Sequence, residues 1–546
     1  RGPRMSVSVT VGDGQVTPLA GFPKKAGRSL PANALTVASG PSGAPALIVT
    51  TLTTVPPEVR GNGASIASTS ADVYAWGVDG KPALRGGSAD GRIIADAGAG
   101  EGFLSGVTVA DLNADGVVEL LMTASGTGTS FRAYTFSDAN ADSSADQVFT
   151  LPLAGLPAAS PITTETFCVV AGSRGRVHWT TKQGTLHESE LVLLDSTASV
   201  AGVSRYPSIH AVLVTGTDGT VALRAPIYPN GRVVIDRTLS LGRPIAGPAT
   251  SASSGTTVQV AVATTDGRVY LLDGYLHTVP GFPVQAGNAM TDPPVLADVN
   301  GDGLRDVVAF ADSRVYVWNA SGVLLDNFPV SLPSGDTLLS SPVVADVNGD
   351  GLPDILGGTK HGLVVAYDRT GKSVPGFPLV AGTGRQSVAV LTTTDSIIVA
   401  AASGDDGSVS AWLTGKTSLP LKADRYPWPQ YQRDQERAGL DTTNTIGTPL
   451  ADAFFPSSRA YNWPNPAYDG KTMIRYYVRE SATVQITVYD MAGDLVASLN
   501  GPGVGGMDNE VVWDLAGVQS GVYFAHIDAA GQSGSGSAIV KIAVVK

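Results

Sequence analysis

Short apolar runs alternate with Gly, Pro, Asp and Asn turns along most of the chain, and long runs of helical period are missing. Two stretches show the unit most fully. Pro294-Val295-Leu296-Ala297-Asp298-Val299-Asn300-Gly301-Asp302-Gly303 leads to Asp306-Val307-Val308-Ala309 and then to Val315-Tyr316-Val317-Trp318. Pro342-Val343-Val344-Ala345-Asp346-Val347-Asn348-Gly349-Asp350-Gly351 leads in the same way to Asp354-Ile355-Leu356 and Val364-Val365-Ala366-Tyr367. A phrase ending in Phe-Pro closes the units at Gly281-Phe282-Pro283, Asn327-Phe328-Pro329 and Gly376-Phe377-Pro378. Fainter copies of the third apolar run stand at Val73–Trp76, Phe131–Tyr134, Val177–Trp179, Val221–Leu223, Val269–Leu272 and Val409–Trp412. Turn signals such as Asp218-Gly219, Asp266-Gly267, His361-Gly362 and Asp406-Gly407 precede several of them and predict hairpins between second and third strands.

Each unit thus predicts about four short strands in roughly 45–60 residues. Such a sheet cannot bury both faces alone, and radial stacking of several sheets solves the problem. Eight units fit between about residues 28 and 425, so the expected fold is all-β: an eight-bladed β-propeller, with seven blades as the alternative. Residues Val7–Thr10 with Gly21-Phe22-Pro23 read as half a unit lying before the first. They either complete the last blade or belong to something upstream.

Composition supports the strand reading: of 546 residues, 65 are Gly, 35 are Pro and only 15% are charged. A net charge of −12 repels phosphate backbones, so nucleic acid is not an expected partner. No apolar run reaches the roughly 18 residues of a membrane span. The opening Arg1-Gly2-Pro3-Arg4 lacks the apolar core of a signal peptide and reads as a processing site or fragment boundary. The single cysteine, Cys168, lies in the apolar run Phe167–Val170 and reads as a buried strand thiol.

The clearest candidate chemistry lies in three acidic loops: Asp111, Asn113, Asp115, Val117 and Glu119; Asp298, Asn300, Asp302, Leu304 and Asp306; Asp346, Asn348, Asp350, Leu352 and Asp354. Side-chain oxygens fall at positions 1, 3, 5 and 9, Gly116, Gly303 and Gly351 at position 6 permit a sharp turn, and position 7 offers a backbone carbonyl. Hard oxygens at this spacing suit calcium, so about three ions are expected. A weaker fourth loop, Asp138, Asn140, Asp142 and Asp146, keeps the spacing with Ser143 in place of Gly. These loops resemble the calcium-binding repeats of FG-GAP/VCBS propellers, the class that includes the integrin α-subunit head. Trp428-Pro429-Gln430-Tyr431-Gln432-Arg433-Asp434 resembles the segment that often follows the last blade in bacterial members. The resemblance covers about residues 5–440 and carries calcium ligands onto the three loops only.

The predicted domains are a propeller over 1–440, a linker over 441–453 and an Ig-like β-sandwich over 454–546. In the last, Val484-Gln485-Ile486-Thr487-Val488-Tyr489-Asp490 alternates as a half-buried strand should. Tyr461–Pro466, Thr472–Arg475, Trp513-Asp514, Ser520–Phe524 and the ending Lys541–Lys546 resemble the C-terminal sorting domains of the type IX secretion system and related Ig-like modules of the flagellar hook-capping type. That resemblance implies export and contact with the secretion machinery, hence a secreted or outer-surface bacterial protein.

No His-Glu-x-x-His, Gly-x-Ser-x-Gly, P-loop or cysteine pair is present. The recurring Trp76, Trp179, Trp318 and Trp412 read as packing between blades, with a sugar-stacking platform as the sharper alternative. The favoured function is a calcium-binding interaction or structural subunit with a protein or polysaccharide partner. Two rivals stay open: a calcium-dependent polysaccharide lyase, and the non-catalytic C-terminal part of a larger secreted protease.

Overall fold

The computed structural model describes residues 16–26, 30–31, 33–51, 72–84, 87–95, 102–103, 106–125, 129–140, 142, 144–153, 160–164, 167–171, 176–181, 186–187, 198–207, 211–224, 236–254, 257–332, 336–416, 425–442, 454–455, 460–463, 465–467, 470–478, 480–504, 507–532 and 534–545. The chain divides into two compact units, Arg1–Thr445 and Ile446–Lys546. The described residues are all-β, with no α-helix among them.

In the first unit the described residues form eight antiparallel sheets. The first runs Leu35–Ser39, Pro45–Thr50, Asp72–Gly77, Arg92–Ala95. The second pairs Thr108–Ala110, Glu119–Ser125, Thr129–Thr135 and Asp146–Leu153, with Gly102–Phe103 also on Glu119–Ser125. The third spans Ile162–Thr163 to Leu186–His187, and the fourth Val200–Arg205 to Asp236–Ser240. The fifth, Thr250–Ser254 to Val284–Gln285, carries an added parallel strand, Leu440–Asp441. The sixth spans Val295–Ala297 to Val330–Ser331 and the seventh Val343–Ala345 to Leu379–Val380. The eighth takes Gln386–Thr392, Ser396–Ser403 and Ser408–Lys416 from one end of the unit, and Thr17–Pro18 and Lys24–Lys25 from the other. The N-terminal half unit therefore completes the last sheet, while Val7–Thr10 lie outside the described residues.

Apolar faces explain why the sheets stack. Ile48 and Val73 of the first sheet share a buried core with Leu120 and Met122 of the second, and so on around. Cores join second to third, third to fourth, fourth to fifth and fifth to sixth. They continue from sixth to seventh and from seventh to eighth. A last core joins Ala389, Leu391, Ile398 and Ala400 of the eighth sheet to Leu35, Leu47 and Val49 of the first. Trp76, Trp179, Trp318 and Trp412 all sit in these inter-sheet cores, as packing requires. Cys168 is buried in the strand Phe167–Ala171.

Residues 425–441 form a strap that visits the sheets in chain order. Trp428 bonds to Val344 of the seventh sheet, and Pro429 accepts from Val390 of the eighth. The Gln430 amide completes both backbone bonds of Val37 in the first sheet, at 2.9 and 3.1 Å. Gln435 accepts from Val109 of the second sheet through its carbonyl, and Thr163 of the third donates to Glu436. Ala438 accepts from Arg205 of the fourth and Gly439 from Ser251 of the fifth. Asp441 finally pairs with Arg305, beside the sixth. Except at the sixth, every partner lies on a first strand, so the first strands of seven sheets face one common segment.

The second unit has a three-stranded sheet, Tyr461–Trp463, Lys471–Val478 and Met507–Asp514, and a four-stranded one ordered Leu495–Gly501, Ala482–Tyr489, Gly521–Gly531, Ser535–Val544. Ile474, Tyr476 and Val478 of the first pack with Ile486, Val488, Ile527 and Ile542 of the second in one core.

Trp428 is 1% exposed and lies in the core between the sixth and seventh sheets. Trp428→Ala is expected to lower the stability of the first unit by about 3–5 kcal/mol, read from the midpoint of urea unfolding.

Candidate functional site

The three acidic loops each join the first and second strands of a sheet: the second, sixth and seventh. In antiparallel sheets the first-to-second and third-to-fourth connections share one end, so these loops and the 138–146 loop gather at the same end of their sheets.

One hydrogen-bond pattern recurs in all three. The position 9 carboxylate accepts from the backbone N–H of position 2: Leu112 to Glu119 at 2.7 Å, Val299 to Asp306 at 2.9 Å, Val347 to Asp354 at 3.1 Å. The position 1 carboxylate accepts from the position 6 glycine: Gly116 to Asp111, Gly303 to Asp298, Gly351 to Asp346, at 2.9, 2.8 and 2.9 Å. Asn113, Asn300 and Asn348 donate through Nδ2 to Asp115, Asp302 and Asp350. The amides of Val117, Leu304 and Leu352 donate to those same aspartates. Gly116, Gly303 and Gly351 have φ of 85°, 82° and 93°, which a side chain at these positions would oppose.

Burial separates the members. Glu119, Asp306 and Asp354 are 2%, 0% and 1% exposed. Burial pushes the Asp306 carboxyl well above the usual range, and the nearby Asp302 and Asp298 charges add to the rise. Burial likewise pushes Asp354 up to about 8; the Val347 amide opposes the rise and the Asp350 and Asp346 charges reinforce it. Asp298 and Asp346 are raised by burial too, against their glycine amides. In the more open first loop the amides of Gly116, Ala114, Asp115 and Asn113 outweigh desolvation and hold Asp111 low. Asp111 Oδ1 and Asp306 Oδ1 are buried without a hydrogen-bond partner. A buried carboxylate oxygen left bare is costly, so the first and second loops each have an unfilled demand for a positive partner.

Among the described residues no three His, Cys, Asp or Glu side chains converge as a finished metal cage. The carboxylates of one loop lie side by side, turned onto amides. The fourth loop shares part of the pattern. Ala139 donates to Asp146 at 2.8 Å and Asp142 N–H to Asn140 at 2.9 Å, as at positions 2 to 9 and 5 to 3 elsewhere. The Asp142 N–H also reaches Asp138, and Ser144 caps Asp142 with both its amide and hydroxyl. Its Ser143 lies outside the described residues.

Sequence reasoning missed the charged residues that surround the loops. Arg305, at position 8, is 3% exposed and donates from Nε to the buried Asp441 at 2.8 Å. The carbonyl of Arg425 accepts from the Asp346 amide at 2.8 Å. In the sequence, the Trp428–Asp434 phrase marks the middle of the strap but none of these charged residues.

Comparison with known proteins adds two family matches. Residues 298–357, which hold the second and third loops, match the FG-GAP-like repeat family. Residues 462–541 match the secretion system C-terminal sorting domain family. The chain carries an FG-GAP-like repeat and a C-terminal sorting domain. The sorting domain marks this protein for export by type IX secretion to the cell surface or extracellular space, and fits contact with the secretion machinery. Among the described residues no helix is long and apolar enough to cross a membrane. No curated protein matches the chain. Similar solved structures include BamB from Moraxella catarrhalis, at 14% identity over 67% of this chain and 97% of that one, with a TM-score of 0.43. Sqt1 from Saccharomyces cerevisiae is 11% identical over 73% of this chain and 99% of that one, with a TM-score of 0.49.

The Asp354 shift sets a sign for metal-free protein. A folded value raised from 3.8 to about 8 gives stability that is fully present below 3.8 and lost as pH rises through about 8. In chelator, the urea midpoint of wild type is expected to fall relative to Asp354→Asn between these limits; parallel profiles would contradict the shift.

Proposed function

We propose that this protein is an exported calcium-binding propeller of eight blades, carried by an Ig-like β-sandwich that serves as its sorting module, and that it works by binding a protein or polysaccharide partner outside the cell. The eight-bladed reading is supported by the cyclic order of the inter-sheet cores, which returns from the eighth sheet to the first. The sandwich reading is supported by the single core between the two sheets of the second unit.

One observation carries the calcium reading: the same carboxylate and amide-oxygen pattern stands at one position of three sheets, with bare buried oxygens on Asp111 and Asp306. The donor set fits a hard cation. Asp111, Asn113, Asp115 and Glu119 would hold it in one loop, and Asp298, Asn300, Asp302 and Asp306 in the next. Asp346, Asn348, Asp350 and Asp354 would hold it in the third, with the carbonyls of Val117, Leu304 and Leu352 as further ligands. A bound calcium ion supplies positive charge where the loop carboxylates would otherwise repel one another. Side-chain amides and backbone N–H groups now accept the role of counter-charge to those oxygens, and they lack the strength of an ion. The 138–146 loop is a weaker candidate of the same kind.

The role assigned to these ions is rigidity. They would fix three loops at one end of the unit, leaving the remaining surface to recognise a partner.

Native mass spectrometry tests the assignment. Wild-type protein is expected to hold about three calcium ions, and Asp302→Asn about two, with the fold kept in both. Equal ion counts in the two proteins would remove Asp302 from the ligand set, and an ion-free wild type would remove calcium altogether.

A further inference from the structure

We propose that loops 298–306 and 346–354 are the two clasps of the 425–441 strap, so that filling these loops and seating the strap are one linked equilibrium. This rests on the calcium reading above and adds Arg305, Arg425, Arg433 and Asp441, which that reading does not use.

The strap begins on one loop. The Arg425 carbonyl accepts from the Asp346 amide at 2.8 Å, which fixes the backbone of the strap to position 1 of the loop. The Arg425 guanidinium lies over the turn, where a Cβ added to Gly351 would come within 3.4 Å of Nη2. Its charge also bears on the Asp346 carboxyl.

The strap ends on the other loop. Asp441 is 1% exposed and accepts from Arg305 Nε at 2.8 Å, while its second oxygen lies 3.2 Å from Arg433 Nη2. Arg305 is 3% exposed and its Nη2 donates to the Ser253 carbonyl at 3.1 Å. Arg305 stands between Leu304 and Asp306, so the path of the loop backbone decides whether its guanidinium reaches Asp441. A buried pair of this kind is costly to break from one side, because the remaining charge stays buried.

Between its ends the strap completes a circuit of the sheets, and its two ends come down on neighbouring ones, the seventh and the sixth. Loop 111–119 offers an internal contrast. It has the same pattern of carboxylates, but position 8 is Val118, which packs on the core between the first and second sheets. Neither end of the strap reaches it. If ions order the loops, two of the three sites hold the strap and one does not. Linkage is reciprocal, so a seated strap must in turn favour ion binding at those two sites.

Hydrogen exchange by mass spectrometry on the full chain, with calcium binding followed by titration calorimetry, separates the possibilities. Removing calcium from wild type is expected to speed exchange of peptides within 425–441 by about tenfold or more. Asp302→Asn and Asp350→Asn are expected to reproduce that loosening in the presence of calcium, and Asp115→Asn to leave the strap protected. In the reverse direction, Arg305→Met is expected to weaken one ion by about tenfold and spare the other two. Where that variant fails to fold, Asp441→Asn, which keeps the shape of the side chain, makes the same test. Calcium bound with unchanged strap exchange, or Asp115→Asn loosening the strap equally, overturns the clasp and leaves the calcium reading standing. An absence of calcium binding overturns both.

Discussion

A four-stranded sheet with two apolar faces has no stable existence alone, and this constraint organises the first unit. Ile48, Val73 and Ile93 of the first sheet need one neighbour, while Leu35, Leu47 and Val49 need another. Each sheet satisfies the next until the eighth must find the first. The chain meets that demand by drawing Thr17–Pro18 and Lys24–Lys25 onto Ser408–Lys416. The strap adds hydrogen bonds to first strands that would otherwise leave backbone groups unpaired. Gln430 does this with a side chain, giving Val37 both of the bonds a neighbouring strand would give.

The acidic loops are the price of a different requirement. Gly116, Gly303 and Gly351 turn each loop sharply through positive φ, while position 9 is pinned at the start of a buried strand. Placing Asp306 and Asp354 there costs desolvation, and the neighbouring aspartates raise that cost. Backbone amides offset part of it, yet Asp306 Oδ1 stays bare. Loops 298–306 and 346–354 also touch the strap, through Asp346 with Arg425 and Arg305 with Asp441.

Much of this was legible because it is local. The Asp-Gly turns fell between second and third strands, where Gly219, Gly267 and Gly407 take positive φ. The third strands Arg314–Trp318 and Leu363–Tyr367 end in an aromatic ring because such rings fill the gap to a neighbouring sheet, as the stacked Tyr316–Trp318 pair does between the fifth and sixth. The spacing of Asp298, Asn300, Asp302 and Asp306 predicted a shared loop geometry. Long-range pairing was not legible. Gln430 and Val37 are 393 residues apart, and no periodicity links them. The half unit before residue 26 carried the closing phrase, Gly21-Phe22-Pro23, but its partner strand, Ser408–Lys416, lies at the other end of the unit. Arg305 and Asp441 are 136 residues apart, and only their juxtaposition in the fold shows a buried pair.

The most direct measurement is thermal unfolding of one protein preparation, first stripped by chelator and then reloaded with calcium. If the loops bind as assigned, reloading raises the melting temperature of the first unit, each ion adding about 2.7 kcal/mol when free calcium stands a hundredfold above its dissociation constant. Superimposable melting curves, with no calcium taken up, would contradict the assignment and leave the acidic loops as turns held by their own amides.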